Sequence, residues 1–207
     1  VTEDSPKVEA NSPYGNTKCI SEEIISDFAN SWPSLKAINL RYFNPVGAHP
    51  SGFIGEFPIG KPNNLLPYLT QTAIGRLESL TVFGNDYPTK DGTCIRDYIH
   101  VVDLANAHVK AISFLGNQAH SCCEVVNVGT GKGTSVLELI NLFVSKTGQD
   151  LNWSYGPRRS GDVTEIFANV SKAKKTLSWK ATYSIADALE HAWQWEKNIN
   201  KRINHVN

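Results

Sequence analysis

Tyr14 and Lys18 lie four residues apart, so a helix places both side chains on one face. A tyrosine can act as a general acid or base when a nearby positive charge favours its phenolate form, and the Lys18 ammonium one turn away supplies that charge. By itself this Y-x-x-x-K motif does not establish a catalytic site, because a chance pair of residues on a helix surface can have the same spacing. Its place in the first turn of a predicted capped helix favours the catalytic interpretation.

Arginines and loop amides add chemistry that suits a nucleotide. Arg96, in residues 93–98, and the adjacent Arg158 and Arg159 carry planar guanidinium groups that bind phosphate oxygens through paired hydrogen bonds. Amides that can bind a base, a ribose or a sugar hydroxyl stand in loops at Asn44, Asn63 and Asn64. Each of these residues also has an ordinary alternative, since arginines solvate surfaces and asparagines close turns.

The elements that must position these residues alternate between helix and strand, which predicts an α/β fold. Ser12 can cap a helix that begins at Pro13 and runs to about Asn30, before Trp32-Pro33 ends it. Residues 37–43 alternate in polarity and are rich in β-formers, which is typical of a strand. Three more helices are predicted, over about 65–76, from about 103, and over 135–146, and two more strands over 80–83 and 124–128. A Ser184–Asp187 capping box predicts the start of a last helix.

Two glycine-containing segments need separate interpretation. Residues 44–63 are predicted to form a long loop, and loops above about 12–15 residues inside compact domains are usually functional or disordered. Residues 129–135 (GTGKGTS) match neither the G-x-G-x-x-G pattern nor the phosphate loop. We therefore interpret the second segment as a turn between a strand and a helix.

Composition excludes several classes of function. The 207 residues are 41% apolar and carry 20 basic and 20 acidic residues, which predicts a globular protein without a charged surface for nucleic acid or membrane. No apolar run reaches the roughly 18–20 residues that cross a bilayer, and residues 1–6 do not resemble a signal peptide, so we expect a cytoplasmic protein. The scattered cysteines predict free thiols at Cys19, Cys94, Cys122 and Cys123.

Two other kinds of site are disfavoured. Asp97, His100 and Asp103 include a single histidine between carboxylates, which is usually structural, so no metal is predicted. Ser51 lacks the G-x-S-x-G context of a hydrolase nucleophile.

Seven segments form a pattern far more specific than Y-x-x-x-K. In chain order they are residues 11–18 (NSPYGNTK), 40–49 (LRYFNPVGAH), 63–68 (NNLLPY), 82–87 (VFGNDY), 96–103 (RDYIHVVD), 127–131 (NVGTG) and 158–162 (RRSGD). Together they resemble UDP-glucose 4-epimerase, of the extended short-chain dehydrogenase/reductase superfamily. In that family a bound NAD takes a hydride from sugar C4 and returns it to the opposite face. The resemblance implies that the complete protein interconverts UDP-glucose and UDP-galactose.

The resemblance also implies roles for individual residues. Tyr14 would be the acid/base at the sugar 4-hydroxyl, Lys18 would support it and hold the nicotinamide ribose, and Phe43 would border the nicotinamide. Ile166 stands near the position that gates the N-acetyl group of larger sugars. The UDP-sugar site would be lined by Asn44, Asn63, Asn64, Leu65, Thr81, Val82, Phe83, Arg96, Arg159 and Asp162.

The implied fold is the later part of a Rossmann-like parallel sheet with a small α/β substrate-binding domain. Residues 1–45 would end the cofactor-domain sheet, and residues 46–207 would mainly form the UDP-sugar subdomain, with about 80–130 returning to the sheet. The first βα units, with their Gly-rich turn and the family's catalytic Ser or Thr, have no counterpart in the sequence. We therefore expect a truncated chain whose 207 residues alone do not epimerise a sugar.

Alternatives remain open. Another nucleotide-sugar epimerase or a 4,6-dehydratase would share the Y-x-x-x-K motif, and a non-catalytic fragment would bind a UDP-sugar without a cofactor. Because the Tyr14 helix forms much of the dimer contact in the family, the resemblance also implies a homodimer for the complete protein.

Overall fold

The computed structural model describes residues 1–6 and 12–206, with side chains described up to residue 203. The helices are α1 (Pro13–Ser31), α2 (Leu65–Ala73), α3 (Val101–Gly116), α4 (Val136–Thr147), α5 (Ser171–Leu177) and α6 (Ile185–Val206). The strands are β1 (Lys36–Tyr42), β2 (Asn44–Val46), β3 (Leu80–Phe83), β4 (Ile95–Arg96), β5 (Tyr98–His100), β6 (Cys122–Val128), β7 (Thr134–Ser135), β8 (Trp153–Gly156) and β9 (Glu165–Ile166). Asn11, which opens the NSPYGNTK segment, lies outside the described residues.

Two helices begin at the caps that the sequence predicts. Ser12 Oγ accepts a hydrogen bond from the Gly15 N–H at 3.1 Å, and Pro13 is the first residue of α1. Before α6, Ser184 Oγ accepts the Asp187 N–H at 3.1 Å while the Asp187 carboxylate accepts the Ser184 N–H at 2.7 Å. These reciprocal bonds satisfy donors that a helix start otherwise leaves open, so both predicted starts are confirmed.

Parallel strand pairs form the framework of the fold. β1 pairs with β6 along its whole length, from Lys36 opposite Cys122 to Tyr42 opposite Val128. β2 follows β1 directly and pairs with β5, and β3 pairs with β8, in both cases in parallel. β4 lies between β7 and β9. The predicted α/β class is confirmed.

Helices cover the two faces of the β1–β6 pair. On one face Arg41 reaches α1, where its Nε and Nη2 atoms donate to the Glu22 carboxylate at 2.7 Å each. On the other face Leu40 belongs to an apolar cluster with Val126 and with Leu104 of α3. Because successive side chains of a strand alternate between its faces, α1 and α3 lie on opposite sides of the pair.

A second apolar core joins α2, α4 and α6 to β3. Its most buried members include Leu69 of α2, Phe143 of α4, Leu189 of α6, and Leu80 and Val82 of β3. Fully burying a side chain of this kind contributes roughly 1.5–3 kcal/mol. This core therefore fixes the ends of α2 and β3, which face the candidate site.

The outer side of α1 stays uncovered. Ile20, Ile24, Phe28 and Trp32 recur every four residues and are 45–59% exposed, whereas Ala29 is buried. Ile20, Ile24 and Phe28 share one helix face that points away from the β1–β6 pair, and Trp32 follows them at the C-cap.

Two predicted boundaries are wrong. The stretch 44–63 is not all loop, because Asn44–Val46 forms β2, a strand too short for alternation to reveal. The helix predicted to reach residue 76 ends at Ala73. Gly75 there adopts a φ of 83°, a left-handed conformation that stops an α-helix.

Candidate active site

A cavity of about 520 Å³ opens between the start of α2, strand β3 and the segment that follows β8. Ten residues that were predicted for the UDP-sugar site line it: Asn44, Asn63, Asn64, Leu65, Thr81, Val82, Phe83, Arg96, Arg159 and Asp162. They come from five separate stretches of the sequence, so the fold itself assembles them. The volume lies within the range of about 300–1,000 Å³ that is usual for small-molecule sites. The binding role of these residues stays a prediction.

Strand β3 forms one wall of the cavity. Leu80 and Val82 are fixed in the core, while Thr81 and Phe83 alternate with them and are more exposed. Gly84 then turns the chain with a φ of 79°, and a Cβ at this position would lie 2.4 Å from the Tyr87 ring. Only glycine meets both conditions, so this turn fixes the end of the wall.

Arg96 is held in place by the chain around it. Its Nη1 atom donates to the carbonyl oxygens of Val163 at 2.7 Å and Ile95 at 2.9 Å, and its Nη2 atom donates to the Asp162 carboxylate at 3.1 Å. The carbonyl contacts orient the guanidinium, and Asp162 is its ion-pair partner. A guanidinium that is oriented in advance suits recognition of a phosphate group.

The adjacent arginines Arg158 and Arg159 have different surroundings. Arg158 donates to the Asp86 carboxylate at 2.7 Å and lies 4.2 Å from the Tyr87 ring centroid. This hydrogen bond raises the pKa of Arg158 and lowers the pKa of Asp86. Arg159 lines the cavity instead and can serve there as a second cation.

The N-terminus of α2 meets the cavity without a side-chain cap. Asn64 is the N-cap residue, but its side chain makes no cap hydrogen bond and donates to Glu56 Oε1 at 2.9 Å. Pro67 in the first turn has no N–H to satisfy. An uncapped helix N-terminus presents N–H groups and positive partial charge, which favour an anion such as a phosphate.

Tyr14 and Lys18 share one face of α1, as their spacing predicts. Lys18 Nζ lies 5.0 Å from the centroid of the Tyr14 ring. Tyr14 is 70% exposed. Neither residue belongs to the described lining of the 520 Å³ cavity. The structure thus brings the pair together on a surface outside the cavity.

Phe43 and Ile166 also lie outside the described lining. Phe43 separates β1 from β2, and its N–H donates to the Val128 carbonyl at 3.0 Å. It immediately precedes Asn44, which does line the cavity. Ile166 pairs with Arg96 in the register of β9 and β4. Both residues are therefore neighbours of the cavity through the backbone.

Comparison with known proteins identifies the family. Residues 1–192 match the protein family described as GDP-mannose 4,6 dehydratase. The chain belongs to this family. It is 48% identical over 192 residues to a bifunctional UDP-glucose 4-epimerase and UDP-xylose 4-epimerase from Pisum sativum, which covers 93% of the chain and 55% of that relative. It is 51% identical over 194 residues to UDP-glucose 4-epimerase 4 from Oryza sativa subsp. japonica, covering 94% and 52%.

The predicted resemblance to UDP-glucose 4-epimerase is therefore confirmed, and the chain spans about half the length of the curated relatives it matches. Among solved structures, a UDP-glucose 4-epimerase from Stenotrophomonas maltophila with NAD and formylated UDP-arabinopyranose has a TM-score of 0.93 at 45% identity, covering 98% of this chain and 59% of that one. The enzyme from Bifidobacterium longum with NAD+ and UDP has a TM-score of 0.91 at 43% identity, covering 96% and 58%. The Rossmann-like epimerase fold without its N-terminal part is also confirmed.

The cavity contains residues that the sequence did not single out. Lys61 Nζ lies 5.2 Å from the Tyr68 ring centroid, and both residues line the cavity. Cys94 and Tyr98 line it as well, and burial raises the pKa of Tyr98. A signal existed for two of them, because Lys61 stands two residues before Asn63 in the predicted functional loop and Tyr98 belongs to the RDY run.

The glycine-containing turn after β6 is occupied by a carboxylate. The N–H groups of Thr130 and Gly131 donate to Asp97 at 2.8 and 3.0 Å, and the Ala168 N–H donates to it at 3.2 Å. These N–H groups of the turn are therefore hydrogen-bonded to a carboxylate of the protein itself. This agrees with its interpretation as a connection between strand and helix rather than a phosphate loop.

The residues considered for a metal site have structural partners. Asp97 holds the turn after β6, and the Asp103 carboxylate accepts the N–H groups of Thr182 and Tyr183 at 2.9 Å each. Within residues 1–6 and 12–203, no group of three or more His, Cys, Asp or Glu side chains is arranged around a possible metal position. In the same part of the chain, no helix has the length and apolar character needed to cross a membrane.

Proposed function

We propose that the complete protein is an NAD-dependent UDP-glucose 4-epimerase that interconverts UDP-glucose and UDP-galactose, and that this chain supplies its nucleotide-sugar site. The observation that carries the proposal is the single cavity lined by ten residues predicted for that site. Arg96, Arg159 and the open start of α2 provide positive charge for a diphosphate. Asp162 provides acceptors for a ribose hydroxyl.

Inversion at sugar C4 requires that one proton and one hydride leave and return. Tyr14 takes the proton of the 4-hydroxyl and gives it back, and the Lys18 ammonium supports it electrostatically. NAD, when bound, would supply the hydride acceptor and donor that this inversion needs. The side chains suited to its nicotinamide end are Tyr14, Lys18 and Phe43.

The pyrophosphate of NAD needs a different partner. The turn after β6 is filled by Asp97, so among the described residues it does not offer the free N–H groups of a dinucleotide-binding turn. We therefore expect the isolated 207 residues to bind a UDP-sugar and to leave it unconverted.

The exposed face of α1 supports a homodimer of the complete protein. Ile20, Ile24, Phe28 and Trp32 form an apolar stripe beside the Tyr14 pair, and contiguous exposed apolar surface commonly marks an interaction site. Sedimentation of the complete protein should give a dimer. A monomer at high concentration would contradict this part of the proposal.

Calorimetric titration of UDP and UDP-glucose into the isolated chain tests the proposed site. We expect saturable binding of both, no conversion of UDP-galactose with added NAD, and conversion by the complete gene product. Epimerisation by the isolated chain would refute the expectation that it binds a UDP-sugar without converting it. Dehydration by the complete enzyme would support the 4,6-dehydratase alternative, which matches the family description. Preference for a sugar such as UDP-glucuronate would support another nucleotide-sugar epimerase.

A further inference from the structure

The contact between Asn64 and Glu56 identifies a side chain that the sequence did not single out. Asn64 Nδ2 donates to Glu56 Oε1 at 2.9 Å. Because a carboxylate only accepts hydrogen bonds, the amide nitrogen must face Glu56 and the amide oxygen must point elsewhere. Asn64 lines the proposed UDP-sugar cavity, so Glu56 determines which polar atoms of Asn64 a ligand meets.

With Nδ2 turned to Glu56, the Asn64 side chain is held in a position where it does not cap its own helix. Asparagine is among the best N-cap residues, since its side-chain oxygen accepts a first-turn N–H. Asn64 occupies the N-cap position of α2 and makes no such bond. The first-turn N–H groups of α2 therefore stay available at the cavity, where Leu65 is part of the lining.

Glu56 is in turn held by α6. Trp195 Nε1 donates to the backbone carbonyl of Glu56 at 2.9 Å. A Cβ at Gly55 would lie 2.4 Å from the Trp195 ring, so glycine lets this loop lie directly on the indole. Asn198 Nδ2 donates to the Gly52 carbonyl at 2.8 Å and fixes the loop at a second point. The backbone that carries the Glu56 carboxylate is thus attached to a long helix.

Glu56 and Asn64 also stand between two cavities. Both line a second, largely apolar cavity of about 590 Å³, and Asn64 alone of the two lines the 520 Å³ cavity. Glu56 therefore reaches Asn64 from the side opposite the proposed ligand.

We propose that Glu56 is a positioning residue of the UDP-sugar site, which orients the Asn64 amide and keeps the N-terminus of α2 open to the ligand. This inference rests on the proposed function and adds a residue to it. Glu56 acts through Asn64 and not through its own contact with the nucleotide. Its effect must therefore disappear when Asn64 is removed.

A double-mutant cycle measures this dependence. UDP-glucose is titrated into the chain and into its Glu56→Gln, Asn64→Ala and doubly substituted variants. Glutamine keeps the size of the side chain but lets Asn64 take either orientation, so Glu56→Gln should weaken binding about threefold to tenfold. In the Asn64→Ala background the same substitution should change nothing. Glu190→Gln, which removes an exposed carboxylate of α6, is the matched control and should bind as the unaltered chain.

Thermal unfolding of the same variants separates positioning from a general structural role. Glu56→Gln should keep or raise the melting temperature, because Asn64 is then free to cap α2. An unchanged affinity of Glu56→Gln, or an equal loss in the Asn64→Ala background, would overturn the inference. If the folded, unaltered chain does not bind UDP-glucose at all, the proposed function is refuted, and the positioning role of Glu56, which rests on it, is refuted as well.

Discussion

The 520 Å³ cavity and the Tyr14 face of α1 are organised in different ways. In the cavity, Arg96 is oriented by two carbonyl oxygens and by Asp162, all from the described chain. On α1, Tyr14 is 70% exposed and Lys18 is its neighbour through space. The helix itself is tied to β1 by the paired Arg41–Glu22 contact.

Under the proposed function, this contrast separates nucleotide binding from proton transfer. A site that must bind a charged nucleotide gains from groups oriented before binding, because less ordering remains to be done. A group that transfers a proton needs a second wall to hold the sugar against it and to exclude water. Within the described residues, the cavity provides oriented binding groups, whereas the Tyr14 face has no second wall. Substitutions in the two regions should therefore have separable effects.

Tyr14→Phe should give the largest effect, a loss of turnover without a loss of UDP affinity. Removing the hydroxyl removes the proposed proton transfer, so kcat of the complete enzyme should fall by about 10²–10⁴-fold. UDP affinity of the isolated chain should not change, because Tyr14 lies outside the cavity lining. Steady-state kinetics and calorimetry measure the two quantities. A parallel loss of UDP affinity would show that the two regions are not separable.

Arg96→Ala should have the converse effect. If Arg96 binds the diphosphate as proposed, loss of its oriented guanidinium should weaken UDP binding about 10–150-fold, since a hydrogen bond to a charged group is worth about 1.5–3 kcal/mol. Arg158→Ala is the matched control, because Arg158 pairs with Asp86 and lies outside the described lining of the cavity. The control should change the dissociation constant less than threefold. Equal losses in both variants would indicate that only overall charge matters.

The larger elements of the fold were predictable from the sequence because their signals are local. Ser12-Pro13 and Ser184–Asp187 are complete helix-start signals, and β3 was predicted over its observed residues. The short strands were not predictable, because two or three residues cannot show alternation and their pairing partners are distant in sequence. α5 was missed for a related reason, since its N-cap residue Val170 provides no side-chain cap.

The candidate site was predictable to the extent that the family resemblance supplied its residues. Spacing alone could not show that Asn44 and Asp162 share a cavity, because more than a hundred residues separate them. Nor could it show that Arg158 is occupied by Asp86 while Arg159 is not, since that depends on a turn far along the chain. The role proposed for Glu56 depends on a contact with α6 that no local pattern encodes.

A pH-sensitive contact links the residue before α3 to α6. His100 precedes α3, its Nδ1 accepts the Val102 N–H at 3.0 Å, and its Nε2 lies 3.0 Å from Nδ1 of His191 on α6. Burial lowers the pKa of His100 to about 4, and nearby His191 acts in the same direction. The carboxylates of Asp103 and Asp187 oppose the shift, and His49 adds to it.

The sign of the pH effect follows from this lowered pKa. Below the ordinary histidine value of about 6.5 the unfolded chain takes up a proton that folded His100 does not, so stability falls as pH falls toward 4. The loss from His100 should be about 1 kcal/mol at pH 5.5 relative to pH 7.5. His100→Asn keeps an acceptor for the Val102 N–H and should remove this loss, whereas His120→Asn at the surface should retain it. Urea unfolding at pH 5.5 and 7.5 measures the free energy of unfolding of both variants. An identical pH dependence in the two variants would contradict the assignment of this effect to His100.

Ile166→Ala should give the smallest effect and test how far the cavity region controls the sugar. Ile166 is half-buried beside Arg96 in the β4–β9 register but lies outside the described lining, so its influence on a bulky sugar is indirect. Shortening it should raise turnover of UDP-N-acetylglucosamine relative to UDP-glucose by about threefold to tenfold in the complete enzyme. UDP affinity should stay the same, because the nucleotide contacts are untouched. An unchanged ratio of the two rates would mean that the size of this side chain does not limit the sugar.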